Sequence, residues 1–225
     1  VKEDDAAVVE LSSFQLISMR RSPDVAVVTN VTPNHLDHHK DMQEYIDSKK
    51  NLYLHQNAFS RTVLNLDNDV TRSFATEVRG ELSFFSRREM PENGAFLDED
   101  GVLYAVHHGR KEALLKKDEI VIPGLHNVEN YLAAISAVDG EVEPEKIVKV
   151  AKTFGGVEHR IERVRELDGV TWYNDSIASS PSRTIAGLNS FNQKIIIIAG
   201  GYDKKIPYEP LAPKIIEKVK ALVLM

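Results

Sequence analysis

The chain has 225 residues, 42% hydrophobic and 28% charged, with 12 glycines and 9 prolines: enough for one large or two small globular domains, and too apolar for disorder. Its 28 basic and 34 acidic residues leave a net charge of -6, which disfavours nucleic-acid and membrane-surface binding, since both need a concentrated positive face; small anionic substrates remain open through local sites. With no cysteine, disulfides, thiolate zinc centres and a cysteine nucleophile are excluded.

Apolar runs at Ala6 to Leu11, Val25 to Thr29, Arg61 to Leu66 and Lys194 to Ala199 are short, rich in Val and Ile, and bounded by polar turns. That pattern predicts strands buried on both faces of a mostly parallel sheet. Between them, 3.6-residue periodicity predicts helices over Met42 to Gln56, Val128 to Val138 and Glu145 to Phe154, the last opened by Pro144 and closed by Gly155-Gly156. From Leu82 to Ile122 the texture changes to short β pieces, and "AFLDEDGVLYAV" predicts a hairpin turning at Asp100-Gly101. The expectation is an α/β fold, a mostly parallel sheet flanked by helices, with a first domain over 1–156. A second, partial Rossmann-like domain over 157–225 opens with "GVEHRIERVREL" and a strand at "GVTWYND". The ends "AAVVEL" and "KALVLM" have the texture of buried strands, so the sequence is expected to be a piece of a longer chain. No stretch reaches the roughly 18 apolar residues of a membrane span, and "VKEDDAAVVELSS" lacks a basic-then-apolar leader layout, so a cytoplasmic location is expected.

"NHLDHHKD" (Asn34 to Asp41) holds three of the eight histidines directly after a predicted strand, at the carboxyl edge where open α/β sheets place ligands. A catalytic zinc takes three protein ligands, and His35, His38 and His39 near one helix start cannot all converge on a point. The plain reading of His38 and His39 is surface histidines. His35, nearest the strand end, is the metal-ligand candidate. "VVELSSF" brings Glu10 to the same edge, where nucleotide-binding α/β proteins place a hard oxygen donor for magnesium; alone, it reads equally as a solvated edge residue.

In order, "VVELSSFQL", "TNVTPNHLDHH", "YIDSKKNLYLHQ", "PGLHNVENYLAAI", "VEHRIERV", "YNDSIASSPSRTIAGL" and "AGGYDKK" resemble the Mur ligase family, and within it the D-glutamate-adding members. The resemblance implies an ATP- and Mg²⁺-dependent amino-acid ligase. It would phosphorylate the carboxylate of UDP-N-acetylmuramoyl-L-alanine and then let D-glutamate attack the acyl phosphate, acting as a monomer. By matching position, Glu10 and His35 would be metal ligands, and Ser12 would line the path of the nucleotide-sugar substrate. Lys49, not its neighbour Lys50, matches the family lysine that carbon dioxide carbamylates, and would be a third metal donor and, with His35, catalytic. A carbamate suits the role because an ammonium would be repelled by Mg²⁺ whereas an anionic oxygen is a ligand. Asn127 and Asn130 would meet the adenine, His159 would pack on the purine, Arg160 would meet phosphate or ribose, and Asp175 the ribose hydroxyls. Without the family, Asn127 reads as a helix N-cap and Arg160 as an ordinary strand charge. Lys204 would hold the D-glutamate carboxylates, with Lys205 as competitor.

Two departures stand out. Ile177 follows Asp175-Ser176 where the family often has a lysine, and Arg183 is the candidate replacement; Asn34 stands where an acidic residue is common. No G-x-x-x-x-G-K-[ST] loop occurs, so the 225 residues alone are expected to form no amide bond. Two other activities compete: a folylpolyglutamate-synthase-type ligase, using the same acyl-phosphate logic, and a metal-dependent phosphoesterase suggested by Asp37 to His39 with Leu66 to Asp69.

Overall fold

Val- and Leu-rich runs that can satisfy their backbone only by pairing build the first sheet. The computed structural model describes residues 2, 5–32, 39–202 and 207–225. Two units divide the chain: 1–115 with 132–143, and 116–131 with 144–225.

In the first unit β1 (Val25–Val28), β2 (Arg61–Asn65), β3 (Glu81–Ser86), β4 (Gly94–Leu97), β5 (Val102–His107) and β6 (Arg110–Lys116) form one six-stranded sheet in sequence order. The pairs β1–β2, β2–β3 and β3–β4 are parallel and β4–β5 is antiparallel. β2 is buried along nearly its whole length, as a central parallel strand covered on both faces should be. Gly94 is required where β4 meets β3: its φ is +122°, and a Cβ there would collide with the Phe84 carbonyl oxygen. The expected hairpin is present, with Asp98 Oδ1 accepting from the Val102 amide at 2.8 Å and Gly101 at φ 77°.

The helices of this unit are α1 (Ser13–Leu16), α2 (Met42–Lys50) and α3 (Asp69–Ser73), the last continuing into a 3₁₀ turn at Phe74–Glu77. Asp41 caps α2 by accepting from the Glu44 amide at 2.8 Å, and Asn68 caps α3 through the Thr71 amide at 3.0 Å. α2 ends at Lys50, six residues before the expected Gln56; the chain continues from there as a run of turns, although Tyr53 and Gln56 are still buried. Ala26, Val28, Tyr45, Tyr53, Leu64 and Phe74 form one core cluster.

The expected strand at Ala6 to Leu11 does not form, and Val8 is fully exposed there. Apolar, β-branched content favours a strand only where a ladder partner exists, and among the described residues β1 pairs with β2 alone.

Arg61 joins the start of β2 to the end of the fourth helix, α4 (Leu125–Ala137). One guanidinium nitrogen donates to the Asp139 carbonyl at 2.7 Å and the Ala137 carbonyl at 3.4 Å, while Nε lies 3.2 Å from a Glu81 carboxylate oxygen. Arg61→Ala would orphan carbonyls just past a helix end, and a loss of about 2 kcal/mol is expected in denaturant unfolding.

The second unit holds the first turns of α4, then α5 (Pro144–Thr153), an antiparallel pair β7 (Glu162–Leu167) and β8 (Val170–Asn174), α6 (Pro181–Asn189), β9 (Ile195–Ala199), α7 (Ala212–Lys218) and β10 (Val219–Leu224). β9 and β10 run parallel on either side of α7, the βαβ arrangement expected of a Rossmann-like piece. Unlike the expectation, both strands are substantially exposed, Ile196 and Ile198 among them. Two strands bury one another's edges but not their faces.

Candidate functional site

The site candidates fall into two groups, one in each unit. In the first unit, Ser12 caps the single turn of α1 in a reciprocal box with Gln15: the Ser12 amide donates to Gln15 Oε1 at 2.9 Å, and the Gln15 amide to Ser12 Oγ at 3.4 Å. Glu10 lies two residues before this cap, exposed, in no strand, and without an ion-pair partner among the described residues. His35, Asn34, Asp37 and His38 lie outside the described residues, as do Lys204 and Lys205.

Lys49 and Lys50 differ sharply. Lys50 pairs with Glu77 and its Nζ lies 5.3 Å from the Phe74 ring centroid. Lys49 faces Tyr45, its Nζ 5.2 Å from the ring centroid, and among the described residues no carboxylate pairs with it. Burial pushes the Lys49 ammonium below the usual lysine range. A half-buried amine that holds its proton less tightly is suited to acquiring an anionic oxygen group and to hard-metal chemistry. Among the described residues no cluster of three or more His, Asp or Glu is placed to hold a metal.

His39 is not a surface histidine, contrary to the plain reading. It is 5% exposed, with Nε2 2.9 Å from Ser13 Oγ, and its ring stacks on Phe14 at 5.3 Å and 7°. Of the acids in the phosphoesterase reading, the two described ones are engaged within the fold: Asp67 accepts from Ser86 Oγ at 2.6 Å and the Arg87 amide at 2.7 Å, and Asp69 pairs with Arg72.

The second unit gathers the nucleotide candidates. Asn127 lies inside the first turn of α4, not at its N-cap, and its Nδ2 donates to the Pro123 carbonyl at 2.6 Å; Asn130 Nδ2 reaches Asn127 Oδ1 at 3.3 Å. Arg160 lies in the turn before β7, not in a strand, and is exposed. Its neighbours are strained: His159 has φ 65° and Ile161 φ 47°, the latter a β-branched residue in the left-handed region. Such backbone costs about 1–3 kcal/mol and persists only where its surroundings impose it. The impositions are visible. Asp175 Oδ1 accepts from the Ile161 amide at 3.1 Å, the His159 carbonyl accepts from the Ile177 amide at 3.2 Å, and Asn174 Nδ2 donates to His159 Nδ1 at 2.8 Å.

Asp175 packs beneath α6, where Gly187 leaves the room: a Cβ there would stand 2.8 Å from Asp175 Oδ2. Burial raises the Asp175 carboxyl above the usual range, opposed by the Ile161 amide, His126 and Arg160. His126, in turn, is lowered by burial and by Arg160, while Glu129 and Asp175 pull it upward. His126, Arg160 and Asp175 are therefore one electrostatic group, with a cation and hydrogen-bonding groups near the start of α4, suited to a phosphorylated, hydroxylated ligand.

The model of the Mur ligase middle domain matches residues 1–138. The chain belongs to the Mur ligase family. It is 59% identical to the UDP-N-acetylmuramoylalanine--D-glutamate ligase of Acetivibrio thermocellus and 54% identical to that of Clostridium perfringens, covering 100% of this chain and 48% of each relative. The chain thus spans about half the length of the curated relatives it matches. Its fold resembles MurC from Thermotoga maritima at TM-score 0.64 and 17% identity, over 90% of this chain and 46% of that one. The UDP-N-acetylmuramoylalanyl-D-glutamyl-2,6-diaminopimelate--D-alanyl-D-alanyl ligase of Acinetobacter baumannii matches at 0.64 and 16%, over 90% and 50%. At such identities these likenesses establish the fold, a mixed α/β Mur ligase architecture.

For this Mur ligase, sequence reasoning overlooked His126, although it stands beside Asn127 in "HNVEN". The available signal was that neighbour: a titratable ring one residue from an adenine candidate, following a proline-glycine turn. Arg183, predicted to replace the cation expected at Ile177, has its Nη1 3.3 Å from the Ile177 carbonyl oxygen, so six residues of sequence separation become direct contact.

Proposed function

We propose that this chain is part of a cytoplasmic, monomeric, ATP-dependent ligase joining D-glutamate to UDP-N-acetylmuramoyl-L-alanine in peptidoglycan precursor synthesis. The observation that carries the reading is identity of 50–59% along the whole chain to proteins of that name. On this reading 1–156 belong to the central ATP-binding domain and 157–225 open the C-terminal ligase domain.

In the reaction, the muramoyl-peptide carboxylate attacks the γ-phosphorus of ATP, ADP leaves, and an acyl phosphate forms. The amine of D-glutamate then attacks its carbonyl carbon, and phosphate departs as the amide forms with loss of a proton. Glu10, His35 and Lys49 would hold Mg²⁺, which supplies neutralisation of charge on the phosphoryl oxygens. The lysine fits because burial favours its neutral amine, the form that adds to carbon dioxide; the resulting carbamate offers an anionic oxygen in place of a repelled ammonium. Ser12 lines the nucleotide-sugar path. Asn127 and Asn130 present amides to the adenine edge and His159 packs on the purine. Arg160, aimed by its left-handed neighbours, meets phosphate, and Asp175 accepts from the ribose hydroxyls. Lys204 meets the D-glutamate carboxylates, and Arg183 supplies the cation missing at Ile177, a role its contact with the Ile177 carbonyl supports.

The test is phosphate release by the purified full-length protein, with ATP present throughout. Release that requires both UDP-N-acetylmuramoyl-L-alanine and D-glutamate is the expected result. Release with a folate-type acid and L-glutamate instead would replace this reading by the folylpolyglutamate-type one.

A further inference from the structure

Glu10 and Lys49 are 39 positions apart in sequence, on segments that share no strand ladder, yet the proposed chemistry needs both at one ion. Side-chain ties hold α1 against the two ends of α2. At the far end, Asn51, the C-cap of α2, donates through Nδ2 to the Leu16 carbonyl at 3.0 Å. At the near end stands His39, two residues before the N-cap Asp41. Its Nε2 is 2.9 Å from Ser13 Oγ, its face stacks on Phe14, its edge meets the Tyr45 ring at 5.3 Å and 62°, and its Nδ1 lies 3.6 Å from Glu44 Oε2. Tyr45 in turn lies beneath the Lys49 amine at 5.2 Å.

A phenyl ring would fill this space without a desolvation penalty. The imidazole instead buries two nitrogens, and among the described residues Nδ1 has no hydrogen bond. What the imidazole adds over a phenyl is direction: the Ser13 bond fixes the rotation of the α1 turn about its axis, and Ser13 is itself 3% exposed, so neither partner has water as an alternative.

We propose that His39 is a positioning residue for the metal donors Glu10 and Lys49: it locks the Glu10-bearing segment to the helix of Lys49. The inference rests on the magnesium reading of the proposed function. It assigns no contact between His39 and substrate or ion.

The experiment uses the full-length protein and Mn²⁺ alone as the probe, with binding read as loss of the free-ion electron paramagnetic resonance signal. His39→Phe keeps the ring and removes the Ser13 bond. Ser13→Ala removes the same bond by deleting one hydroxyl. Both should weaken Mn²⁺ about tenfold or more, as loss of groups that orient metal ligands does, with KM for D-glutamate unchanged. His39→Gln, which can still reach Ser13, should recover most of the affinity. The double variant should be no worse than His39→Phe, because both substitutions cut one bond.

Thermal melts accompany each variant; should His39→Phe not fold, the smaller Ser13→Ala carries the test. Mn²⁺ affinity within twofold of the parent in the folded variants overturns the proposal, as does additivity in the double variant. Lys49→Met serves as the separate control. If it binds Mn²⁺ and turns over like the parent, the magnesium reading fails, and the inference with it; if it is inactive while Ser13→Ala binds normally, only the inference fails.

Discussion

Lys49→Met in the full-length protein is expected to lower ligase turnover on the order of 10³-fold while raising the melting temperature at neutral pH. The two effects have one origin. Burial holds the Lys49 ammonium below its ordinary range, so between the folded value and about 10.4 the unfolded chain binds more protons than the folded one. Stability therefore rises with pH through that window, and below the folded value the cost of the half-buried charge is fully present. Methionine has nearly the same length and no charge, so it removes the cost; under the proposed function it also removes the amine that would take up carbon dioxide. Melts in buffer freed of carbon dioxide should show the variant's advantage shrinking as pH rises toward 10. An unchanged turnover would exclude Lys49 from the chemistry.

Asp175→Asn is expected to weaken ATP binding by about 10- to 100-fold, the loss of charge-assisted hydrogen bonds, and again to stabilise the free protein at neutral pH. Here the raised group is an acid, and the sign reverses. The folded state prefers the protonated carboxyl, so the penalty is present above the folded value and fades as pH falls toward 3.8. Asparagine can keep accepting from the Ile161 amide through Oδ1, so the strained turn at Arg160 should survive. Calorimetric titration with ATP at pH 7 and melts at pH 7 and pH 4.5 check both halves: the gain in melting temperature should be smaller at the lower pH.

The runs Val25 to Thr29 and Arg61 to Leu66 were legible because each carries its own signal, β-branched and buried, and each found a partner in sequence order. Ala6 to Leu11 carries the same signal and no partner, and composition cannot report the difference. His39 was misread for a related reason. It sits outside the periodic part of α2, and the hydroxyl that buries it lies 26 residues back in the chain, beyond any local pattern. Lys49 was separated from Lys50 by family pattern; the physical distinction, Glu77 beside one and none beside the other, depends on tertiary contact. The left-handed Ile161 left no trace, since β-branched residues normally refuse that conformation.

That same residue bears on how a ligand is recognised. With Ile161 buried and the residues on either side of Arg160 both at positive φ, the direction in which the Arg160 side chain leaves the backbone is set by main chain; under the proposed function, that leaves less of the loop to rearrange when an anion arrives. Affinity gained so is gained before encounter, and glycine at Ile161 should forfeit it by letting the loop wander.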